Sequence, residues 1–128
     1  MKTSTAVAAI LATASIFPAL AETSALDGRS FQGVFIERGK TSGDADTLVF
    51  ANGRFRSTAC DRYGYSDAAY RTASAGDMTR FEAETQSAKY GKLLWSGVVR
   101  GGKLDATATM VREGKSNIEN WVVAAEKN

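Results

Sequence analysis

Short runs of β-forming residues separated by tight turns dominate the sequence. Residues Met78–Ser87 show the pattern most clearly, because small or apolar residues alternate there with charged or polar ones. Such alternation is typical of a strand with one buried and one wetted face. Asn52-Gly53 and Gly101-Gly102 each stand between two such runs and are typical two-residue hairpin turns. The pattern therefore predicts an antiparallel all-β fold.

Eight strands are predicted in this way. They cover Ser30–Arg38, Thr47–Ala51, Arg54–Ala59, Ala68–Ser74, Met78–Ser87, Lys92–Arg100, Lys103–Arg112 and Ser116–Ala125. Residues 39–46 form a polar loop between the first two strands, and residues 60–67 are irregular. Because closing a meander of eight twisted strands removes its exposed edges, we predict an eight-stranded antiparallel up-and-down barrel. A two-sheet β-sandwich is the alternative.

The first 21 residues contain the three parts of a bacterial export signal. Lys2 is followed by an uncharged apolar run over residues 6–17 and by Pro18-Ala19-Leu20-Ala21, a small-x-small cleavage site. The alternative is a short buried helix, since the run is too short for a bilayer, which needs roughly 20 residues. We expect cleavage after Ala21, a single barrel domain over residues 22–128, and a periplasmic or secreted location.

The distribution of charge argues against several kinds of partner. Residues 22–128 carry 16 − 1 = 15 Lys and Arg, since Lys2 is removed, and 14 Asp and Glu, which gives a net charge of +1. The signs alternate and form no basic block, whereas a nucleic-acid surface usually has a basic stripe. The outward face of Met78–Ser87 is charged rather than apolar, unlike a lipid-facing strand. We expect no nucleic-acid partner and no membrane insertion of the mature chain; the oligomeric state is left open.

The residue inventory also limits the chemistry. The chain has no histidine, so Ser-His-Asp and Cys-His catalysis and every histidine-containing metal site are excluded. Cys60 is the only cysteine and cannot form an internal disulfide. It is either buried, paired with another molecule, or a free reactive thiol. We therefore predict a protein that is not an enzyme and that holds no cofactor or metal.

The irregular segment between the third and fourth strands is the best candidate for a binding site. Arg62 can donate two hydrogen bonds to a carboxylate or phosphate, and tyrosines offer amphipathic contact at a low entropic cost. The predicted ligand-binding residues are Cys60, Asp61, Arg62, Tyr63, Tyr65 and Tyr70. Such a site would take a small anionic or aromatic ligand, or a protein. Alternatively, the segment is only a lid that closes one end of the barrel.

The predicted inward residues leave open whether the barrel is hollow. Small and large side chains share this face: Ala83, Thr85, Ala106 and Ala108 are small, and Phe31, Phe35, Phe55, Phe81, Leu104 and Met110 are large. This mixture is typical of a filled, tapered interior, but also of a modest pocket with an aromatic wall. Trp95 and Trp121 are interpreted as core anchors.

With its eight short strands, Gly33 in the first of them and the late Trp121, the chain resembles the small calycin-like barrels of the lipocalin and avidin neighbourhood. The likeness covers the architecture of residues 22–128. It departs from the Gly-x-Trp pattern of lipocalins, because Gly33 is followed by Val34-Phe35. The resemblance implies a non-enzymatic exported binding protein whose partner is a small molecule or a protein.

A second resemblance is local. Ser87-Ala88-Lys89-Tyr90, followed by Trp95, is similar to the Ser-Gly-x-Tyr loop of periplasmic inhibitors of C-type lysozyme. In that family a loop serine and a lysine enter the lysozyme cleft, and the matching positions here are Ser87 and Lys103. The alternatives to a ligand-binding barrel are therefore a lysozyme-inhibitor-like protein and a packed structural barrel with no small-molecule site.

Overall fold

The computed structural model describes residues 19–128, so residues 1–18 of the predicted signal peptide lie outside the described part. Within the described part there are nine strands and one 3-10 helix. The strands are β1 (Ala21–Glu22), β2 (Ser30–Glu37), β3 (Asp44–Ala51), β4 (Arg54–Ser57), β5 (Ala68–Ala75), β6 (Met78–Ser87), β7 (Gly91–Arg100), β8 (Lys103–Val111) and β9 (Ile118–Glu126), and the helix covers Thr58–Tyr63.

Strands β2 to β9 form a closed antiparallel barrel. Each pairs with the next along the chain, and β9 returns to pair with β2 from Phe31 opposite Glu126 to Glu37 opposite Asn120. We call this last pairing the closing seam. The predicted eight-stranded barrel is confirmed, and the sandwich alternative is wrong because one continuous sheet returns to its first strand.

Strand β1 lies outside the ring of eight and was not predicted. Strand β4 is short and reaches β5 only at Ala68 and Ala69. Farther along β5, Arg71 and Thr72 pair with β1 instead. Strand β1 therefore continues the edge of β5 that β4 leaves unpaired. Two residues carry too little pattern to be recognised as a strand in the sequence.

The structure corrects two predicted strand boundaries, one at the polar loop and one at the irregular segment. Strand β3 begins at Asp44 rather than Thr47, because pairing with β2 continues through polar residues as far as Phe35 opposite Asp44. Strand β4 ends at Ser57 rather than Ala59, where the 3-10 helix begins. Asp46 connects the two changes: it is buried and accepts hydrogen bonds from Ser57 Oγ at 2.7 Å and Ala59 N at 3.0 Å.

The core is aromatic and centres on Phe50. Its ring lies 5.0–6.1 Å from the rings of four other buried aromatic residues, namely Phe31, Phe55, Tyr70 and Phe81. The predicted inward residues are all buried except Phe35 and Met110, which are half-buried. The barrel is therefore packed along most of its length, and the exceptions lie near one end.

The two tryptophans have different places. Trp95 is a buried core anchor whose Nε1 donates to Thr85 Oγ1 at 3.2 Å. Trp121 is 41% exposed, so its interpretation as a core anchor is wrong. Strand β9 turns Asn120 and Val122 inward, and strict alternation then places Trp121 on the outer wall.

Gly33 lies in the closing seam, opposite Ala124. A Cβ at this position would overlap the Val123 carbonyl oxygen and stand 2.9 Å from Ala124 Cα. The pairing of β2 with β9 runs without interruption through this point, so the seam has no bulge at Gly33. The glycine instead allows the two backbones to approach closely.

Residues 23–29 close the barrel at the end that holds the β3–β4 hairpin. Leu26 is buried in the core, and its backbone N–H donates to Tyr70 Oη at 2.9 Å. The Tyr70 hydroxyl donates to Asp27 Oδ1 at 2.8 Å, and the Asp27 carboxylate accepts from Gly53 N. This end of the barrel is sealed by apolar packing and a linked set of hydrogen bonds.

Candidate functional site

The opposite end of the barrel contains a cavity of about 510 Å³. It opens among the connections that follow β2, β4, β6 and β8, which all lie at this end of an up-and-down barrel. Its wall is formed by Phe35, Glu37, Lys40, Thr41, Ser42, Gly43, Asp44, Ala59, Cys60, Tyr63, Tyr65, Tyr90, Leu93, Met110, Ile118 and Asn120. We call this space the end cavity.

The 3-10 helix holds one wall of the end cavity in place. Asp46 anchors its start through Ser57 and Ala59, as described above. At its end, Gly64 adopts φ = 82° and donates its N–H to Asp61 O at 2.9 Å, a left-handed conformation that glycine tolerates best. The Ser87 hydroxyl donates to Tyr63 O at 2.7 Å and ties the helix to the turn after β6.

Of the six predicted site residues, the structure brings Cys60, Tyr63 and Tyr65 together in the cavity wall. Asp61 and Arg62 lie on the same helix but outside the cavity. Asp61 pairs with Arg56 at 2.6 Å, and Arg62 pairs with Asp44 at 3.1 Å. Arg62 also lies over the Tyr63 ring, 5.1 Å from its centroid. The guanidinium is thus engaged within the protein rather than offered to an anion in the cavity.

Tyr70 is separated from the other five. It is fully buried and belongs to the sealed end of the barrel, where its hydroxyl bonds Leu26 and Asp27. Burial raises the pKa of Tyr70 to about 12, with the hydrogen bond to Asp27 acting in the same direction. The structure therefore gives this side chain a place in the fold and none in the end cavity.

Tyr65 is the most unusual member of the cavity wall. Only 6% of the residue is exposed, and its hydroxyl has no hydrogen-bond partner among residues 19–128. Burial raises its pKa, and the nearby Cys60 and Tyr90 raise it further. An unpaired buried hydroxyl costs about 1–3 kcal/mol, so it is a feature that calls for an explanation.

Cys60 is a buried free thiol, the first of the three alternatives that the sequence left open. It is 5% exposed. Burial raises the pKa of the Cys60 thiol to about 11, the hydrogen bond with Ser57 opposes this, and the carboxylate of Asp46 adds to it. The thiol is thus neutral at pH 7, and a nucleophilic thiolate is disfavoured.

We expect the raised pKa of Cys60 to make the protein less stable in alkali. The folded state holds its proton up to about pH 11, whereas the unfolded thiol loses it near its ordinary value of 9.0. The contribution of the protonated thiol to stability is complete below the pKa of the unfolded state. It is lost as the pH rises through the pKa of the folded state. Between pH 8 and 10.5, the free energy of unfolding of wild type, measured with urea, should fall by roughly 1–2 kcal/mol more than that of Cys60→Ala. Equal pH slopes for the two proteins would contradict this.

Several cavity residues were not predicted as site residues. Tyr90, in the β6–β7 turn, packs edge-on against Tyr63 at 5.7 Å, and both rings are substantially exposed. Asn120 is buried in the cavity wall, where its Nδ2 donates to Ala108 O at 3.1 Å. The signal available was the meander itself, which places the end of β8 and the start of β9 at the same end of the barrel as the 3-10 helix. A polar Asn120 on the inward face of a strand is a further signal.

Ser87 and Lys103, the residues matched to the lysozyme-inhibitor loop, lie at opposite ends of the barrel. Ser87 ends β6 beside the end cavity, and Lys103 begins β8 at the other end. The Ser87 hydroxyl accepts from the N–H groups of Lys89 and Tyr90, both at 3.2 Å, in addition to bonding Tyr63 O. The serine therefore organises a turn, and the two residues form no joint surface.

The outer wall of the barrel has a shallower groove of about 450 Å³ across β6 to β9. Trp121 and Val123 are among its apolar lining residues, and Val123 is 63% exposed. Among residues 19–128, no helix is long and apolar enough to cross a membrane.

Comparison with known proteins gives no match: neither a family model, nor a curated protein, nor a solved structure is similar to this chain.

Proposed function

We propose that the protein is an exported, non-enzymatic β-barrel that binds a small, mainly apolar molecule in the end cavity. The observation that carries this proposal is the cavity itself. Its volume of about 510 Å³ is within the range of roughly 300–1,000 Å³ that ligand pockets occupy. Its inner wall is apolar and aromatic with a few polar groups, which is the usual composition of a small-molecule site.

The contrast between the two ends of the barrel supports a binding role. The sealed end buries Leu26 and Tyr70 completely and pairs their polar atoms. At the cavity end, Phe35 and Met110 remain half-buried, and Tyr63 and Tyr90 are exposed at the rim. Apolar surface gathered around an opening is typical of an interaction site.

Export and the absence of catalysis belong to the same proposal. Residues 1–21 have the composition of a signal peptide, and the closed eight-stranded barrel is compatible with a calycin-like architecture. The one thiol at the cavity is buried and neutral, and its pKa is raised rather than lowered. A passive binding protein needs neither a nucleophile nor a base.

A bulky side chain in the cavity tests the proposal. The probe is N-phenyl-1-naphthylamine, a neutral dye that fluoresces on entering an apolar site. We expect the protein to bind it and Met110→Trp to weaken binding about tenfold or more, since the indole occupies the cavity. Val123→Trp adds the same side chain to the outer wall and should leave binding unchanged.

Three results would contradict the proposal. They are a wild type that does not bind the dye, a Met110→Trp variant that binds it as well as wild type does, and a loss of binding in Val123→Trp alone. The last result would assign the dye to the outer groove. Thermal melting of each variant shows whether it is folded.

A further inference from the structure

The Tyr65 hydroxyl is a polar group that the fold leaves without a partner. The residue is 94% buried, lines the end cavity, and bonds nothing through its hydroxyl among the described residues. Tyr70 shows how this fold treats a buried tyrosine that belongs to its core, since that hydroxyl bonds both Leu26 and Asp27. A hydrogen-bonding partner for the Tyr65 hydroxyl is therefore missing from residues 19–128.

The inner part of the cavity is uncharged. Its charged members, Glu37, Lys40 and Asp44, are exposed at the rim, and Asp44 is paired with Arg62. The buried polar members of the wall are the neutral thiol of Cys60, the amide of Asn120 and the phenol of Tyr65. Burying an ion among such groups is unfavourable, so the part of a ligand that reaches Tyr65 must be neutral.

Four aromatic rings contribute to the cavity wall, those of Phe35, Tyr63, Tyr65 and Tyr90. Tyr63 and Tyr90 meet at an interplanar angle of 84°, an edge-to-face arrangement that a third ring can join. Both rings are partly exposed at the rim, where the flexible side chains of Arg62 and Lys89 lie over them. A flat aromatic molecule fits this wall better than a flexible chain, because it loses less conformational freedom on binding.

We infer that the ligand is a neutral aromatic molecule whose hydroxyl, carbonyl or ring nitrogen forms a hydrogen bond with Tyr65 Oη, once a shift of the cavity wall opens that buried oxygen to the end cavity. This inference rests on the proposed function and names the class of molecule that the end cavity takes. The unpaired hydroxyl supplies specificity, since a site built to bond a polar group discriminates against a molecule that lacks it.

Two probes that differ by one hydroxyl test the inference: 1-naphthol and naphthalene, each measured by displacement of N-phenyl-1-naphthylamine. We expect Tyr65→Phe to weaken the binding of 1-naphthol by about three- to tenfold, which is the effect of losing one neutral hydrogen bond. Naphthalene affinity should change by less than about twofold. Tyr70→Phe, which removes a hydroxyl at the sealed end of the barrel and outside the end cavity, is the matched control and should change the affinity for neither probe. The anion 1-naphthoate should bind wild type more weakly than 1-naphthol does.

Failure of the inference is distinguishable from failure of the proposed function. If wild type binds the dye but Tyr65→Phe changes the affinities for the two probes equally or not at all, the binding role of the end cavity is retained and the inferred role of Tyr65 is wrong. Tighter binding of 1-naphthoate than of 1-naphthol would overturn the neutral class. If wild type does not bind the dye, the proposed function fails, and the inference fails with it.

Discussion

Replacing Gly33 by alanine is expected to lower the free energy of unfolding by about 3 kcal/mol, the upper end of the usual range for overpacking. The added Cβ would overlap the Val123 carbonyl oxygen and stand 2.9 Å from both Ala124 Cα and Ala124 Cβ. Backbone cannot rotate away as a long side chain can, so β2 and β9 would have to separate. Urea unfolding followed by far-UV circular dichroism measures the loss.

Gly102→Ala is the matched control for Gly33→Ala. Gly102 is not among the positive-φ glycines, and the nearest atom to a Cβ there is Glu126 Cβ at 3.7 Å. Its effect should stay within about 0.5 kcal/mol, as for most surface substitutions. If the two variants unfolded at the same urea concentration, the close approach of β2 and β9 at Gly33 would not be a constraint on the fold.

Two tyrosine-to-phenylalanine substitutions are expected to change stability in opposite directions. Tyr70→Phe should destabilise the protein by about 2–3 kcal/mol, because it removes the bond to the Asp27 carboxylate and leaves the buried Leu26 N–H unpaired. Tyr65→Phe removes a buried hydroxyl that has no partner among residues 19–128 and should stabilise the free protein by about 1 kcal/mol. Chemical denaturation of the two variants at pH 7 provides the comparison.

The opposite signs are what make this pair informative. Equal losses would show that the Tyr65 hydroxyl is satisfied in solution, which would remove the basis for its role toward a ligand. A stable Tyr65→Phe variant also ensures that its binding measurements report on the cavity and not on unfolding. A stability gain together with weaker 1-naphthol binding would be an instance of a site that lowers stability in return for recognition.

The regular strands were predictable because their alternation is a local property. Met78–Ser87 was predicted with the bounds that β6 has in the structure. Where polar residues enter a strand, the pattern fails: the start of β3 at Asp44 depends on its pairing with Phe35 across the barrel. The burial of Asp46 depends likewise on Ser57 and Ala59, which no local pattern in residues 44–46 contains.

The candidate site was predictable in part for the same reason. Cys60, Tyr63 and Tyr65 are unusual residues in one irregular segment, and proximity in sequence was enough to group them. Tyr70 was grouped with them by that proximity as well, although strand β5 carries it to the sealed end. Tyr90 and Asn120 come from distant parts of the chain, and only the closure of the barrel brings them to the same cavity.

The closing seam also fixes the order of events in the making of the molecule. It joins Phe31 to Glu126, so the first strand of the ring waits for a partner that is translated after the other strands of the ring. Until residues 118–126 have been added, β2 and β8 each present an unpaired edge, and such edges recruit strands from other chains. A chain that includes residues 118–126 has a complete ring, whereas a nascent chain that still lacks them has two open edges and is the form most exposed to aggregation.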